Sequence, residues 1–385
     1  MKYTDLHLHL DGSLPIETAE ILSWLSSESI DDILSRDELI ERLTIGRLPK
    51  KKEKPAGKYE RYSDGRMIDI TDTINKKEND TDKTFSLNEY LKRFDLPLTM
   101  LQTEDSLYYA TAGLAMELWR RGVGYAEIRF APQLHTKRGL TQMKAVESVI
   151  EGYTSRLDFS GDDSRKYLRR KLMEYEYYTG KKVDIDMNLE MPHIRFILCL
   201  MRGSMNDEQL YNMNMETVEV ARHFMNENNY LVAGLDLAGA EGLYPTKDYR
   251  DFFGMAKKHR IPFTIHAGEA AGPESIWQAV DMGASRIGHG IAAAQDESLM
   301  KELKDRDIAI ELCPTSNLQT GAVSSMEDYP LRRFLEYGLK ATINSDNMTV
   351  SGTDVVKEFD FLEREIGLTE SEKDILMKNA EKSHL

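Results

Sequence analysis

Eight short apolar runs separated by helical patterns predict an α/β fold, a TIM (β/α)8 barrel with eight parallel strands. Three observations support this class. Each run has about the length of a strand, turn residues follow most runs, and helical periodicity occupies intervals between them. In chain order, the predicted strands are residues 2–9, 123–130, 195–201, 231–237, 261–266, 285–289, 308–312 and 339–346.

The intervals between the predicted strands show where extra material is inserted. Residues 107–121 and 275–282 have helical periodicity, and Gly122 stands where the first of these helices should end. The intervals after the first and second strands are much longer than the later ones, so we predict extra helices and polar insertions there, at 49–83 and 158–182. Because residues 49–83 contain many lysines and aspartates but few large apolar residues, we expect a flexible, solvated excursion or partial disorder, and the similarly polar residues 158–182 are also expected to be flexible. Neither insertion has the character of an independent domain, so we expect the whole chain of 385 residues to form one domain.

The composition excludes several classes of partner. The chain is 41% hydrophobic and 30% charged, with a formal net charge of -15. An acidic protein repels phosphate backbones and anionic lipids, so we expect no nucleic-acid or membrane partner, whereas a small neutral substrate is allowed. Cys199 and Cys313 lie in apolar surroundings and are expected to be buried thiols. No apolar signal-peptide segment follows the N-terminal residues, and apolar runs such as 196–201 are too short to cross a bilayer, so we expect a cytoplasmic protein.

Ligand-type side chains stand at the ends of several predicted strands. His7 and His9 lie two residues apart on the first strand and therefore share one face, near the end where TIM barrels place their active sites. Such a pair alone is weak evidence for a metal. However, His266 ends the fifth strand, His289 the sixth and Asp346 the eighth. Imidazole nitrogens with a carboxylate oxygen suit a borderline cation such as zinc.

Two further features indicate hydrolytic chemistry at a single metal. Glu269 lies three residues after His266, and a carboxyl in a closed pocket can stay protonated and act as a general acid. The alternative is a glutamate that only interacts with a helix N-terminus. Binuclear barrel hydrolases commonly use a carbamylated lysine after the fourth strand, but no lysine occurs from Val183 to Thr246. We therefore predict one metal ion.

Six short motifs occur in an order that spans nearly the whole chain. The motifs are HLHLDGS at 7–13, EIRFAP at 127–132, DLAG at 236–239, HAGE at 266–269, RIGHG at 286–290 and SD at 345–346. With them the chain resembles the adenosine deaminase family, the adenosine/AMP deaminase branch of the metal-dependent amidohydrolase superfamily. Residues 86–101 are also similar to the pocket helix of that family, and only the polar insertions fall outside the resemblance.

The resemblance implies a metal site and two catalytic residues. Four side chains would hold one Zn2+ per chain: His7, His9, His266 and Asp346. Glu269 would donate a proton to N1 of the purine. His289 would orient or deprotonate the attacking water.

The resemblance also implies a binding site for a purine nucleoside. Asp11 would hydrogen-bond the ribose, the backbone at Gly239 would contact the base, and His9 would also face the substrate. The helical face that forms the apolar wall or lid would consist of Leu87, Tyr90, Leu91 and Phe94; from periodicity alone, this face could equally pack on the barrel. The family usually has a second aspartate after the metal aspartate, whereas this chain has Asn347. Its amide can donate to purine N7 but cannot share a carboxyl proton with it.

These features predict zinc-dependent hydrolytic deamination of adenosine and 2′-deoxyadenosine to inosine or deoxyinosine and ammonia, by attack of water at purine C6. The cysteine-ligated zinc deaminases are excluded because no Cys-x-x-Cys motif occurs. Three alternatives remain open: a deaminase of adenine or a 5′-modified adenosine, a non-catalytic nucleoside-binding protein, and a binuclear hydrolase of esters or amides.

Overall fold

Parallel strands alternate with helices along the computed structural model, which describes residues 2–45, 59–61, 67–69, 90–155, 166–183, 191–226 and 231–385. The strands are β1 (Tyr3–His9), β2 (Tyr59–Arg61), β3 (Met67–Asp69), β4 (Val123–Phe130), β5 (His193–Met201), β6 (Val232–Ala238), β7 (Thr264–Ala267), β8 (Arg286–His289), β9 (Ala309–Leu312) and β10 (Ala341–Ile343). The predicted strand regions are therefore confirmed, with ends that differ by a few residues.

The helices cover the outer faces of these strands and add material at both ends of the chain. They are α1 (Ile16–Ser26), α2 (Arg36–Leu43), α3 (Asp95–Met100), α4 (Glu104–Arg120), α5 (Gln142–Thr154), α6 (Lys166–Thr179), α7 (Glu208–Asn226), α8 (Arg250–Lys258), α9 (Pro273–Met282), α10 (Glu297–Asp305), α11 (Pro314–Gln319), α12 (Leu331–Tyr337), α13 (Met348–Ser351), α14 (Val355–Ile366) and α15 (Glu370–Glu381). Among the described residues, no helix combines the length and the apolar character needed to cross a bilayer.

The eight long-range strands form two parallel sheets. One sheet has the order β1-β4-β5-β6 and the other the order β7-β8-β9-β10, while β2 and β3 pair as an antiparallel hairpin. Single parallel bridges, Leu8 to Asp346 and Leu235 to Phe263, connect the two sheets at their edges. The predicted parallel α/β class is confirmed, but in the described chain the hydrogen-bonded ladders do not run around one closed barrel.

Local sequence explains where these elements begin and end. All seven residues of β6 are buried, as expected for a parallel strand covered on both faces. Helix α4 begins at a capping box formed by Thr103 and Ser106. The predicted stop at Gly122 is confirmed, since this glycine has a φ of 78° and its N–H donates to the Trp119 carbonyl.

The two predicted insertions differ in what the structure describes. Within 49–83, only the hairpin strands β2 and β3 lie in the described residues. The insertion at 158–182 contains α6, an amphipathic helix that buries Leu168, Leu172 and Tyr175. The Tyr175 ring contacts Trp24 of α1, with 6.0 Å between the ring centroids. Sequence analysis predicted extra helices after the second strand but did not locate this one, because charged residues and tyrosines obscure its narrow apolar stripe.

Candidate active site

The carboxyl ends of the parallel strands bring the predicted ligand-type residues together. His7 and His9 come from β1, His266 from β7 and Asp346 from the segment after β10. Nε2 of His9 lies 3.3 Å from Nε2 of His266 and 3.5 Å from Oδ1 of Asp346. Nε2 of His7 lies 3.6 Å from the same aspartate oxygen. Ligand atoms close enough to share one cation occur here in overlapping groups of three, among them His7, His9 and Asp346, and His7, His266 and His289.

One candidate ligand atom of this cluster has no hydrogen-bond partner among the described residues. Nε2 of His7 is buried and makes no hydrogen bond to any described residue, while Nδ1 of the same ring lies 2.7 Å from Oε2 of Glu311. Nδ1 of His266 lies 2.8 Å from Oδ2 of Asp236. Metal-binding histidines characteristically direct their second nitrogen to a carboxylate in this way. The donor set fits a divalent cation such as zinc.

The protonation of the imidazoles also suits a cation. Burial, together with the nearby Arg129 guanidinium, lowers the pKa of His7 well below its ordinary value, so this ring is neutral. At His266 burial acts in the same direction, but the carboxylate of Asp236 outweighs it and raises the pKa.

A network of buried charges lies beneath the cluster. Arg129 donates to Oδ2 of Asp236 at 2.8 Å and to Oε2 of Glu311 at 3.0 Å. Arg286 donates to the other oxygen of Glu311 at 2.6 Å and to Glu127 at 2.5 Å. Although burial raises the pKa of Glu311, the two arginines hold it down at about 2. The carboxylates that orient His7 and His266 are thus ionised and fixed.

Sequence reasoning did not assign functions to these network residues. Glu311 could have been found, because it is a charged residue within the otherwise apolar four-residue strand β9. Such a residue needs a buried partner of opposite charge. Asp236, Arg129 and Arg286 stood inside the motifs on which the family resemblance rests, without a stated role.

Glu269 and His289 lie at the edge of the histidine cluster. Oε1 of Glu269 accepts a hydrogen bond from Thr320 at 3.0 Å, and Oε2 lies 3.6 Å from Nε2 of His289. Burial raises the pKa of Glu269 from 4.5 to about 7. A carboxyl with this pKa is partly protonated at neutral pH, as a general acid must be.

The ring of His289 is held by Asn317. The Asn317 amide donates to Nδ1 of His289 at 2.9 Å, and the Tyr329 hydroxyl fixes the amide by donating to its oxygen at 3.2 Å. Burial lowers the pKa of His289 to about 4, so the ring is neutral at pH 7. Because Nδ1 accepts, the neutral ring carries its proton on Nε2, which faces Glu269.

His289 and Asp346 both have left-handed backbone conformations, with φ of 59° and 58°. For residues other than glycine, this conformation costs roughly 1–2 kcal/mol. It persists at Asp346 because its N–H donates to the His7 carbonyl and its own carbonyl accepts from the N–H of His9, both at 2.7 Å. Such conformations concentrate at functional sites.

Two of the predicted substrate-binding residues, Tyr90 and Phe94, lie beside the histidine cluster. Phe94 faces His9, with 6.5 Å between ring centroids, and Tyr90 lies 6.3 Å from Phe94. Leu91 is half-buried, and residues 92–94 form a tight 3-10 turn rather than regular α-helix. Leu87 lies outside the described residues.

The structure also describes the surroundings of three further predicted substrate-binding residues, Asp11, Gly239 and Asn347. Oδ1 of Asp11 is buried without a hydrogen bond to described residues, and burial raises the Asp11 pKa to about 6. Gly239 has a φ of 107°, which favours glycine. The Asn347 amide donates to the Tyr90 hydroxyl at 2.9 Å, and no described residue pairs with its oxygen.

The chain is similar to known proteins over most of its length. The family model for adenosine deaminase matches residues 68–385. The adenosine deaminase of Haemophilus ducreyi is 38% identical over 376 residues, which cover 98% of this chain and 89% of that protein. Imidazoles and carboxylates at the ends of parallel strands define a metal-dependent hydrolase of the amidohydrolase type. More particularly, the chain belongs to the adenosine deaminase family.

Solved structures show the same fold at low sequence identity. The adenine deaminase of Arthrobacter aurescens has a TM-score of 0.70 and 21% identity, and the match covers 100% of this chain and 94% of that one. An amidohydrolase from Burkholderia ambifaria with bound Zn has a TM-score of 0.68 and 17% identity, with 100% and 85% covered.

Proposed function

We propose that this chain catalyses the zinc-dependent hydrolytic deamination of adenosine and 2′-deoxyadenosine to inosine or deoxyinosine and ammonia. The observation that carries the proposal is Glu269, a buried carboxyl with a pKa of about 7 that lies 3.6 Å from His289 at the edge of the histidine cluster. Membership of the adenosine deaminase family supports the reaction and the substrate class.

Four residues would hold one Zn2+: His7, His9, His266 and Asp346. The bound ion would lower the pKa of a water molecule towards about 7, so that hydroxide is available at neutral pH. The unpaired Nε2 of His7 and the bound Zn in the Burkholderia ambifaria amidohydrolase support this assignment. A single ion fits the lack of lysine from Val183 to Thr246.

The side chains of this chain would move and hold the protons. Glu269, held by Thr320, would protonate N1 of the purine, which interrupts the aromaticity of the ring and makes C6 electrophilic. His289 would direct its Nε2 proton at the attacking oxygen, which favours an orienting role over deprotonation. Attack at C6 is then followed by loss of ammonia and formation of the 6-oxo purine.

The substrate would be a small purine nucleoside, with neither nucleic acid nor a membrane as partner. Asp11 would bind the ribose, the Gly239 backbone the base, and the Asn347 amide N7. His9 would line the site beside an apolar wall formed by Leu87, Tyr90, Leu91 and Phe94. Phe94 supports this arrangement because its ring already faces His9.

The proposed architecture is a single (β/α)8 barrel domain spanning residues 1–385, closed through the Leu8–Asp346 and Leu235–Phe263 bridges. The segments 49–83 and 158–182 would be insertions into this barrel. The cytoplasm is the proposed location, which suits the unpaired, buried thiols of Cys199 and Cys313.

A related aminopurine is the second candidate substrate, because Asn347 replaces the aspartate that is usual in the family.

The proposed function is tested by the loss of adenosine absorbance before chelation, after chelation and after zinc is restored. Parallel assays use deoxyadenosine, adenine and methylthioadenosine. We expect adenosine and deoxyadenosine to react fastest, only in the presence of metal, with one zinc per chain by elemental analysis. Much faster turnover of adenine, or two tightly bound metals, would overturn the proposal.

A further inference from the structure

A second buried carboxylate binds the backbone of the turn that carries Glu269. Glu241 is only 4% exposed. Its Oε1 accepts a hydrogen bond from the N–H of Gly268 at 2.6 Å. Its Oε2 accepts from the next three N–H groups, those of Glu269, Ala270 and Ala271, at 3.0, 2.7 and 3.2 Å. Four consecutive backbone donors thus converge on one side chain.

The neighbouring helix strengthens this contact. Ser275, in the first turn of α9, donates to Oε1 of Glu241 at 2.6 Å. An ionised carboxylate only accepts hydrogen bonds, so both of its oxygens can face these five donors, whereas an amide of the same shape turns an NH2 group towards some of them. Ser275 also forms a hydrogen bond with the Thr246 hydroxyl at 2.8 Å. Arg202 in turn donates to this hydroxyl at 3.0 Å and to the His266 carbonyl at 2.6 Å.

Among the described residues, one further backbone hydrogen bond reaches this turn, from the N–H of Ala292 to the Gly268 carbonyl at 3.1 Å. The turn connects β7 to α9, and Gly268 within it has a φ of 77°. Successive N–H groups in such a turn form a concave site for an anion, and here the protein supplies the anion itself. The Glu269 side chain has one hydrogen bond of its own, from Thr320, among the described residues. Its position therefore depends on its backbone, and the backbone depends on Glu241.

We propose that Glu241 is a positioning residue for the deamination: its carboxylate fixes the 268–271 turn so that the Glu269 carboxyl faces the purine. This inference rests on the proposed function of Glu269. Glu241 acts on Glu269 in a second way, through its charge. Burial is the main cause of the raised pKa of Glu269, His266 opposes it, and the negative charge of Glu241 adds to it.

The test compares Glu241→Gln, Glu241→Asp and Glu274→Gln with the wild type. Glu241→Gln keeps the size of the side chain but places an NH2 group opposite backbone donors. We expect kcat for adenosine to fall by roughly 100-fold, as for a catalytic group displaced by about 1 Å, with a much smaller change in KM. The loss of kcat/KM at high pH should begin at a lower pH, since the charge of Glu241 is gone. Glu274 is exposed and, among the described residues, accepts only from the N–H of Gly272, just outside the 268–271 turn, at 3.2 Å; it is the matched control and should have little effect.

Glu241→Asp separates the two effects and covers the case in which Glu241→Gln does not fold. It retains the charge but shortens the reach, so kcat should fall while the pH profile keeps its midpoint. Wild-type kcat and an unshifted pH profile in Glu241→Gln would overturn the proposal, as would unchanged kcat in Glu241→Asp.

Amide hydrogen exchange gives a readout that needs no turnover. The amides of residues 268–271 should be protected in the wild type and exchange at least about tenfold faster in Glu241→Gln. Equal protection in both proteins would overturn the positioning role even if adenosine proved not to be the substrate. If the wild type did not deaminate adenosine but its amides still exchanged more slowly than those of Glu241→Gln, the proposed function would be contradicted. The role of Glu241 in fixing the turn would still be supported.

Discussion

The Asn347 amide donates a hydrogen bond of 2.9 Å to the Tyr90 hydroxyl, although the two residues are 257 positions apart in the chain. Both side chains are 3% exposed. The Tyr90 hydroxyl also lies 2.8 Å from the hydroxyl of Ser351. The sequence predicted Tyr90 as part of an apolar wall, but its polar end connects the pocket helix to the segment that carries Asp346. This contact limits the orientations available to the amide that would bind N7.

Replacing Tyr90 with Phe should therefore weaken substrate binding more than it slows the chemistry. Loss of the neutral hydrogen bond between Tyr90 and Asn347 costs about 1 kcal/mol. This cost corresponds to a roughly fivefold higher KM for adenosine. Steady-state kinetics with adenosine provides the measurement. Tyr177→Phe, at a tyrosine that is 82% exposed, is the control.

A 7-deaza analogue of adenosine, which lacks the N7 acceptor, sharpens this test. This analogue should inhibit the wild type only weakly, and the Tyr90→Phe substitution should not weaken this inhibition further. If Tyr90→Phe reduced the binding of both compounds equally, the hydroxyl would not act through N7.

Glu269→Gln should abolish most turnover while leaving the metal site intact. An amide cannot donate a carboxyl proton to N1, and loss of a general acid typically lowers kcat by about 100- to 10,000-fold. Zinc content is expected to stay at the wild-type value, because the residue lies outside the predicted ligand set. Turnover close to wild type would show that another group protonates the purine. A wild type that binds but never converts nucleosides would support the non-catalytic alternative.

The activity should decline as pH rises through about 7. Burial raises the pKa of Glu269 from 4.5 to about 7, so the proton-donating form is present below this pH and is lost above it. We expect the kcat/KM profile for adenosine to bend downwards near pH 7, since this ratio reports the free enzyme. A decline that already begins near pH 4.5 would mean that Glu269 is not shielded from water.

Glu311→Gln should lower both metal affinity and stability. Glu311 orients Nδ1 of His7 at 2.7 Å and pairs with Arg129 and Arg286. Loss of such an orienting carboxylate typically weakens metal binding by about 10- to 100-fold. Removing one partner of a buried ion pair costs about 3–5 kcal/mol of unfolding free energy. Chelator competition and denaturant titration measure the two effects, with Glu297→Gln on α10 as the control. Unchanged metal affinity would contradict the orienting role.

The sequence predicted best those structural elements whose signal lies within a few consecutive residues. Buried parallel strands read as continuous apolar runs, and the predicted end of β8 at His289 agrees with the structure. The last strand was predicted as 339–346, but the ladder ends at Ile343, and Asp346 reaches the site through a single bridge to Leu8. A segment that leaves the hydrogen-bonded ladder but stays buried, as after Ile343, cannot be distinguished from a strand by its sequence.

The contacts that complete the site could not be read from the sequence. The pairs Asn347–Tyr90 and Glu241–Gly268 join segments whose approach depends on how the helices pack. Composition also concealed α6, since its three buried side chains are separated by charged residues. Spacing thus predicted the side chains that are proposed to bear the chemistry, whereas those that hold them in place required the structure.

The left-handed backbone at His289 and Asp346 has a consequence for protein engineering. Asparagine adopts this conformation about as readily as histidine and aspartate do, so His289→Asn and Asp346→Asn should keep the backbone in place. Because a neutral amide costs less to bury than the Asp346 carboxylate, Asp346→Asn should also raise the melting temperature. A library selected only for resistance to heat would accumulate these replacements and with them inactive protein. Directed evolution of this chain towards thermostability therefore requires a catalytic screen at every round.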